Sequence, residues 1–339
     1  MKVLVIRFSS IGDIVLTTPV VRCLKLQRPD VRLHYLTKLN FASILSPNPH
    51  IDKLHFLADD LEAVVAELKK EKFDLVVDLH NNLRTLRIKK ALQVPAKSFP
   101  KLNIEKWLYT NLKVNLLPDV GIVERYLRTV EHLGIKNDGR GLDYFLPENG
   151  RLTTDDIPMS HWGGYVGCVI GGSYATKQLP AHKWVDFCKA VPYPVILMGG
   201  PEDRAMGNEI AEFDPVKVYN ACGKFSLTES AELVDGARVV VSNDTGLMHI
   251  AAAFKKPIVS LWGNTTPEMG MYPYYGYNNL TKIVEPRLTL LENKDLWCRP
   301  CSKLGSKKCP KGHFKCMNDL DMQIAVAAVE GYWKVAKGG

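Results

Sequence analysis

A carboxylate, a hydroxyl and an imidazole stand close together at Asp244, Thr245 and His249. They follow the β-branched run Val239-Val240-Val241 and precede the apolar stretch Ile250-Ala251-Ala252-Ala253. The first run reads as a buried parallel strand and the second as a helix. A strand–turn–helix junction offers free backbone N–H groups and a positive helix end, which together suit a phosphate. His249 lies four residues after Thr245, so the two share a helix face. Plainer readings exist: Asp244 or Thr245 as an N-cap, Gly246 as a close-packing residue, His249 as a satisfied structural histidine. A cap needs one polar residue, however, and this junction supplies several.

A second junction opens the chain. Residues 3–8 read as a strand, 9–13 as a small polar turn and 14–26 as an amphipathic helix. The turn is not GxGxxG, so the dinucleotide fingerprint is absent. Asp13 directly precedes the expected helix, where an N-cap is the default role. The carboxyl end of a first strand is also where α/β sheets place reactive groups.

These junctions carry a family resemblance. Ser9-Ser10-Ile11-Gly12-Asp13 and Ser242-Asn243-Asp244-Thr245-Gly246-Leu247-Met248-His249-Ile250-Ala251-Ala252-Ala253 closely resemble the paired motifs of the lipopolysaccharide heptosyltransferases, glycosyltransferase family nine. Further matches are Asp78-Leu79-His80-Asn81-Asn82-Leu83-Arg84-Thr85, Gly199-Gly200-Pro201-Glu202-Asp203 and the cysteine segment 298–317. The resemblance covers essentially the whole chain in matching order. It implies a GT-B fold, α/β, with two Rossmann-like domains facing across a cleft. It also implies an inverting transferase moving a heptose or related sugar from a nucleotide donor, expected to be ADP-heptose. The acceptor would be an anionic glycolipid, the lipopolysaccharide core.

Roles follow by the same resemblance. Asp13 is the base that takes the acceptor proton. Ser173 and Lys177, in Gly171-Gly172-Ser173-Tyr174-Ala175-Thr176-Lys177, contact the diphosphate. Glu202, Phe225, Ser226 and Leu227 lie near the nucleoside. Asp244 bonds sugar hydroxyls, Thr245 and Gly246 meet the diphosphate through their amides, and His249 approaches the same groups. Ser10, Gly12 and Arg84 fall on the acceptor side, Arg84 because a guanidinium grips an anion bidentately. No DxD-type motif stands at a phosphate site, so no metal or other cofactor is expected, and helix N-termini and a lysine would stabilise the leaving group. Taken singly, Lys177 is also a surface lysine, Glu202 a loop acid, and Phe225-Ser226-Leu227 a packed segment with a capping serine. Two other classes fit parts of the sequence: a GT-B nucleotide-sugar epimerase or hydrolase, and a non-catalytic nucleic-acid-binding module.

Composition sets the frame. At 339 residues the chain is long for one core and comfortable for two. Hydrophobic residues at 46% and charged residues at 24% are those of a globular protein. The longest apolar runs fall far short of a membrane span. Arg7 interrupts the first one and no small-residue cleavage site follows, so cytoplasmic residence is the default expectation. The net charge is +8, and residues 84–113 hold eight basic side chains against one acid, Glu105. Such a surface suits an anionic acceptor or an acidic membrane face, here peripheral contact with the inner membrane. A solvated lysine-rich face is the plain alternative. No nucleic-acid motif accompanies the patch, so no nucleic-acid partner is expected.

The elements that position these residues alternate. Strands are predicted at 2–8, 31–37, 54–57 and 73–79, with helices near 14–27, 41–46, 59–70, 84–92 and 122–134. Residues 147–164 lose periodicity and gather turn residues, which places an interdomain linker there. The domains are then 1–155 on the acceptor side and 156–317 on the nucleotide-sugar side. In the latter, strands are predicted at 165–170, 194–198, 216–219, 238–242 and 257–262, with helices near 181–190, 203–212, 227–235 and 246–254. The resemblance implies that a final helix, about 318–336, crosses back to the first domain. Cys23, Cys168, Cys188 and Cys222 are scattered in apolar segments and read as buried small hydrophobes. Cys298, Cys301, Cys309 and Cys316, with His313 among them, read either as a metal knuckle or as packed thiols.

Overall fold

Short apolar runs separated by polar turns build two parallel sheets in the structure, a computed structural model that describes residues 1–148, 151–276 and 286–336. The first sheet comprises β1 (Lys2–Ile6), β2 (Arg32–Lys38), β3 (Lys53–Leu57), β4 (Leu75–Asp78) and β5 (Ala96–Ser98), in the order β3-β2-β1-β4-β5. The second comprises β6 (Val166–Val169), β7 (Val195–Met198), β8 (Val218–Asn220), β9 (Val239–Asn243), β10 (Ile258–Trp262) and β11 (Leu288–Glu292), in the order β11-β10-β9-β6-β7-β8. Val3, Leu4, Val5 and Ile6 in β1 and all of β9 are buried, as expected of strands covered on both faces. Strand order reverses between β1 and β4 in one sheet and between β9 and β6 in the other. These are the topological switch points where open α/β sheets leave a crevice for ligands.

Most predicted elements are present, with boundary shifts that have local causes. The helix predicted over 14–27 is two helices, Ile11–Val15 and Thr18–Gln27, with Pro19 in the first turn of the second. Proline is tolerated there because a first-turn N–H has no intrahelical partner, whereas mid-helix it would break the ladder. Asp13 therefore does not precede the helix. Ser10 is the N-cap and Asp13 is the third residue inside, in a capping box. The helix predicted to 134 ends at Leu127, followed by a 3₁₀ turn at Glu131–Leu133. Among the described residues, elements not foreseen include β5, whose three residues are all exposed, the edge strand β11, the short helix Lys315–Asn318, and helix Asn103–Leu112, none of whose residues is buried. β5 and β11 are edge strands, and the apolar side chains of Asn103–Leu112 face outward rather than into a core.

The final helix is also corrected. Met322–Ala336 does not return to the first sheet but packs on the second, where Val326, Val329 and Trp333 join Trp184 and Phe187 in one core. Trp333 stacks on Tyr193 with ring centroids 4.0 Å apart, and Tyr332 Oη lies 2.8 Å from Thr289 Oγ1 of β11. The helix's apolar stripe thus completes the sheet from which the chain has just emerged. Residues 149–150 of the predicted linker lie outside the described residues; the rest of it carries short 3₁₀ turns at Thr154–Asp156 and Met159–His161.

Candidate active site

The two junctions singled out in the sequence meet across a cleft between the sheets. Gly12, after β1, lies so close to His249, after β9, that a Cβ on it would stand 2.4 Å from the imidazole Cδ2. Reciprocally, a Cβ on Gly246 would stand 2.8 Å from Ile11. Both motif glycines are therefore required where the first turns of two helices from opposite sheets touch. The plain reading of Gly246 as a close-packing residue holds, and the packing is across the cleft.

Asp13 is held on three sides. Its Oδ1 pairs with Arg7 Nη2 at 2.7 Å, and its Oδ2 accepts from Ser10 Oγ at 2.7 Å and from the Ser10 N–H at 3.2 Å. Burial pushes its carboxyl up, but the Arg7 charge and the Ser10 hydrogen bonds outweigh burial and hold it below the usual value. A carboxylate offers about four lone-pair sites, so three contacts leave room for one proton. Arg7 is buried and donates as well to Ser9 O and Leu79 O at 2.7 Å and to Tyr126 Oη at 3.0 Å. It is thus an orienting group fixed by the fold.

Across the cleft, Lys177 Nζ lies 2.6 Å from Asp244 Oδ2, which also accepts from Thr265 Oγ1 at 3.0 Å. Thr245 is the N-cap of helix Gly246–Ala253, yet its own Oγ1 is buried without a partner. His249 Nδ1 is likewise buried and unpartnered, as is Nδ1 of His80, which follows β4. Burial pulls His249 down to about 4, against the opposing charges of Asp244 and Asp13, so its imidazole is neutral at pH 7. His80 is also pulled to about 4, by burial first and then by Arg7 and Lys101. Buried polar atoms without partners are uncommon in folded proteins. With Thr266 Oγ1, four of them belong to residues lining one cavity and mark a place where a ligand completes the hydrogen bonding.

The cavity has a volume of about 360 Å³. Arg7, Lys101, Lys106, Lys177 and Lys303 line it, against the two acids Asp13 and Asp244. Among the described residues the ammonium groups of Lys101, Lys106 and Lys303 make no ion pair or hydrogen bond. Burial, then the nearby Arg125, lowers Lys106 to about 8. A cleft with this surplus of positive charge attracts a multiply charged anion.

Of the residues named from sequence, Ser10, Gly12, Asp13, Ser173, Lys177, Asp244, Thr245, Gly246 and His249 all line this cavity. Arg84 does not: it is exposed at the start of helix Leu83–Leu92, which buries Thr85 and Ile88 and so turns Arg84 outward. The cations inside are lysines. Glu202, Phe225, Ser226 and Leu227 are also not part of the cavity wall. Ser226 caps helix Leu227–Gly236 in a capping box with Glu229, and Phe225 and Leu227 pack on the core. Their loops nevertheless continue the same sheet edge. A Cβ on Gly171 would touch Asp203 and approach Gly199, and one on Gly223 would touch Pro201. The loops after β9, β6, β7 and β8 thus form one ledge along the carboxyl edge of the second sheet.

Sequence reasoning missed His80, Lys101, Lys106, Lys303 and Thr265. His80 stood in a quoted motif without a role, and Thr265 follows a strand end, as Asp244 does. The lysines had no local signal, because only tertiary structure decides which cations of a basic segment face inward. Cys23, Cys168, Cys188 and Cys222 are buried as expected. Cys298 Sγ lies 3.7 Å from His313 Nε2. Among the described residues, however, His34, His55 and Glu71 are the one group that brings three potential ligand atoms within 4.8 Å. Contacts within the fold already occupy that group: Glu71 is ion-paired with Lys2 and Lys53, and His34 Nδ1 is hydrogen-bonded to His55 Nε2 at 2.9 Å.

Comparison with known proteins bears on the family and the fold. Residues 62–308 match the model of glycosyltransferase family 9 (heptosyltransferase). The chain is 23% identical to lipopolysaccharide heptosyltransferase 1 of Campylobacter coli over 87% of this chain and 92% of that protein. Its fold is similar to that of a glycosyl transferase family 9 protein from Veillonella parvula, with a TM-score of 0.74 and 22% identity over 98% of this chain and 96% of that one. It is also similar to E. coli heptosyltransferase WaaC solved with ADP-2-deoxy-2-fluoro heptose, with a TM-score of 0.65 and 19% identity over 98% and 99% of the two chains.

Proposed function

The chain belongs to glycosyltransferase family 9, the heptosyltransferases, and has the GT-B fold; we propose that it moves a heptose from ADP-heptose to a lipopolysaccharide core acceptor with inversion. The observation that carries this reading is the single cleft in which Asp13, the Lys177–Asp244 pair and four partnerless polar atoms face one another. The diphosphate would lie at the start of helix Gly246–Ala253, with Lys177 released from Asp244 to meet it. Thr245 Oγ1 and His249 Nδ1 would then gain partners. The nucleoside would extend along the ledge toward Glu202 and Phe225. The ADP-linked sugar carried by the similar E. coli structure supports this choice of donor.

Asp13 would take the proton from the acceptor hydroxyl as the new bond forms at the anomeric carbon and the bond to the departing phosphate breaks. Its lowered carboxyl is a weak base in isolation. Its part is therefore to orient the hydroxyl and receive the proton late, when the hydroxyl has become acidic. Protein cations stabilise the leaving diphosphate, so no metal is needed for the transfer. The unpaired Lys101, Lys106 and Lys303 would hold the acceptor's anionic groups. No described helix is long and apolar enough to cross a membrane. We place the reaction in the cytoplasm, at the inner face of the membrane that carries the acceptor.

Two measurements test the reading. ADP-heptose at 100 times its dissociation constant should stabilise the fold by about 2.7 kcal/mol, while UDP-glucose should not. Transfer to delipidated core oligosaccharide should persist in EDTA and give the inverted anomer by NMR. Donor breakdown without acceptor transfer would favour the hydrolase reading, and strict dependence on added magnesium would overturn the metal-free leaving group.

A further inference from the structure

We propose that this protein docks on an anionic lipid bilayer through the rim of its cleft, with helix Asn103–Leu112 lying in the headgroup region. Among the described residues, nine of the eighteen exposed large apolar side chains lie in two short segments, 83–116 and 297–304, about an eighth of the chain. Leu83, Ile104, Trp107, Leu116, Trp297 and Leu304 are each more than half exposed.

The fold joins these segments into one surface. Lys113 Nζ, just past the helix, donates to Cys298 O at 3.0 Å and Pro300 O at 2.7 Å. At the other end, Asn103 and Lys106 share the cavity wall with Lys303 and Leu304. Helix Leu83–Leu92 is tied to the same rim through Lys89 Nζ to Ser98 Oγ at 2.6 Å and Asn81 Nδ2 to Phe99 O at 3.0 Å.

Charge selects the occupant. Segments 83–116 and 297–304 carry ten basic residues and one acid, Glu105, and Lys307, Lys308 and Lys311 follow at once. Ile104 and Trp107, one helical turn apart, protrude from a helix with no buried residue. Lys311 Nζ lies 5.1 Å above the Trp297 ring. Lys89 is held by Asp78 and Lys113 by backbone carbonyls, but aromatic and aliphatic side chains set among the remaining lysines fit an anionic bilayer interface, where the apolar parts enter the acyl boundary and the ammonium groups meet phosphate. A protein partner would need an acidic apolar groove, and a nucleic acid would leave the aliphatic side chains unused.

The inference rests on the lipid-linked acceptor proposed above for its purpose, since docking would present the cleft to a substrate anchored in the same membrane. Its test needs neither donor nor transfer. The purified protein should sediment with phosphatidylcholine vesicles containing phosphatidylglycerol roughly tenfold more tightly than with phosphatidylcholine alone. Brominated acyl chains should quench the tryptophan emission. An Ile104→Ser/Trp107→Ser double variant should lose most of the sedimentation and the quenching while keeping the wild-type melting temperature and ADP-induced stabilisation. A Leu116→Ser/Trp297→Ser variant provides an independent pair. Equal binding by both variants, no preference for anionic vesicles, or competition by an oligonucleotide at equal charge concentration would overturn the proposal. Transfer to soluble core oligosaccharide by a protein that ignores vesicles would overturn docking alone. Vesicle binding without any transfer would overturn the proposed function alone.

Discussion

Asp13 combines two roles that sequence reading sets against each other. It belongs to a capping box, and it lies in the cleft wall with room for one more proton. Asp13→Asn separates them, because an amide oxygen still accepts from Ser10 while basicity is lost. Arg7 keeps Ser9 O, Leu79 O and Tyr126 Oη, so the first junction should hold its shape. The expected outcome is transfer slowed by roughly 10²–10⁴-fold with ADP affinity unchanged by calorimetry; near-normal turnover would reduce Asp13 to a cap. Lys177→Ala makes the complementary test. Charge-assisted hydrogen bonds contribute about 1.5–3 kcal/mol, so ADP should bind roughly 10- to 100-fold more weakly. Asp244 retains Thr265 as a partner in that variant, and its melting temperature should stay close to the wild-type value.

At the level of elements, the motif glycines are explained by two helix starts rather than by any ligand. Helix Ile11–Val15 and helix Gly246–Ala253 can bring Asp13 and Thr245 into one cavity only if neither carries a side chain at the point of contact. Gly12→Ala would place a methyl 2.4 Å from His249 Cδ2, a separation no packed carbon adopts. His249 is fully buried and cannot swing into solvent, so the helices must part. Overpacking of this kind costs about 1–3 kcal/mol, and here the cost falls on closure of the cleft. We expect Gly12→Ala to fold, to keep most of its ADP affinity, and to lose far more turnover than stability. A drop in melting temperature with full specific activity would contradict this. The junctions themselves were legible because a β-branched run, a polar turn and an alanine-rich stretch each follow local rules. Pro19 is the local signal for the break at Thr17, which the prediction of one helix over 14–27 does not use. Helix Asn103–Leu112 was missed although Ile104, Trp107, Leu108 and Leu112 recur at helical spacing, and its apolar side chains face outward rather than into a core.

The whole molecule adds couplings between distant segments. Glu124 of helix Ile122–Leu127 accepts a 2.5 Å hydrogen bond from Tyr274 Oη, 150 residues away in sequence, and Asn137 Nδ2 also reaches Tyr274 Oη at 2.7 Å. Burial pushes the Glu124 carboxyl up to about 7, despite Tyr274 and the neighbouring Arg128 and Arg125, and Tyr272 also stands near it. A carboxyl whose folded value exceeds its unfolded value of 4.5 stabilises the fold in its protonated form. Its contribution is therefore full below about pH 4.5 and is lost as pH rises through about 7. Chemical denaturation across that interval should show Glu124→Gln losing less stability with rising pH than the wild type; parallel curves would refute the assignment. By itself, the sequence determined the two parallel sheets, the junction residues and the family, because strand, turn and helix signals act over a few residues. It could not determine which cations face the cleft. Arg84 and Lys106 belong to the same basic segment, and only the packing of Thr85 and Ile88 turns one outward while the cleft takes in the other. Nor could it place the final helix, whose apolar stripe suits either sheet and settles on the nearer. Local chemistry fixes each element, whereas the meeting of Gly12 with His249 and of Lys106 with Lys303 depends on contacts between segments hundreds of residues apart.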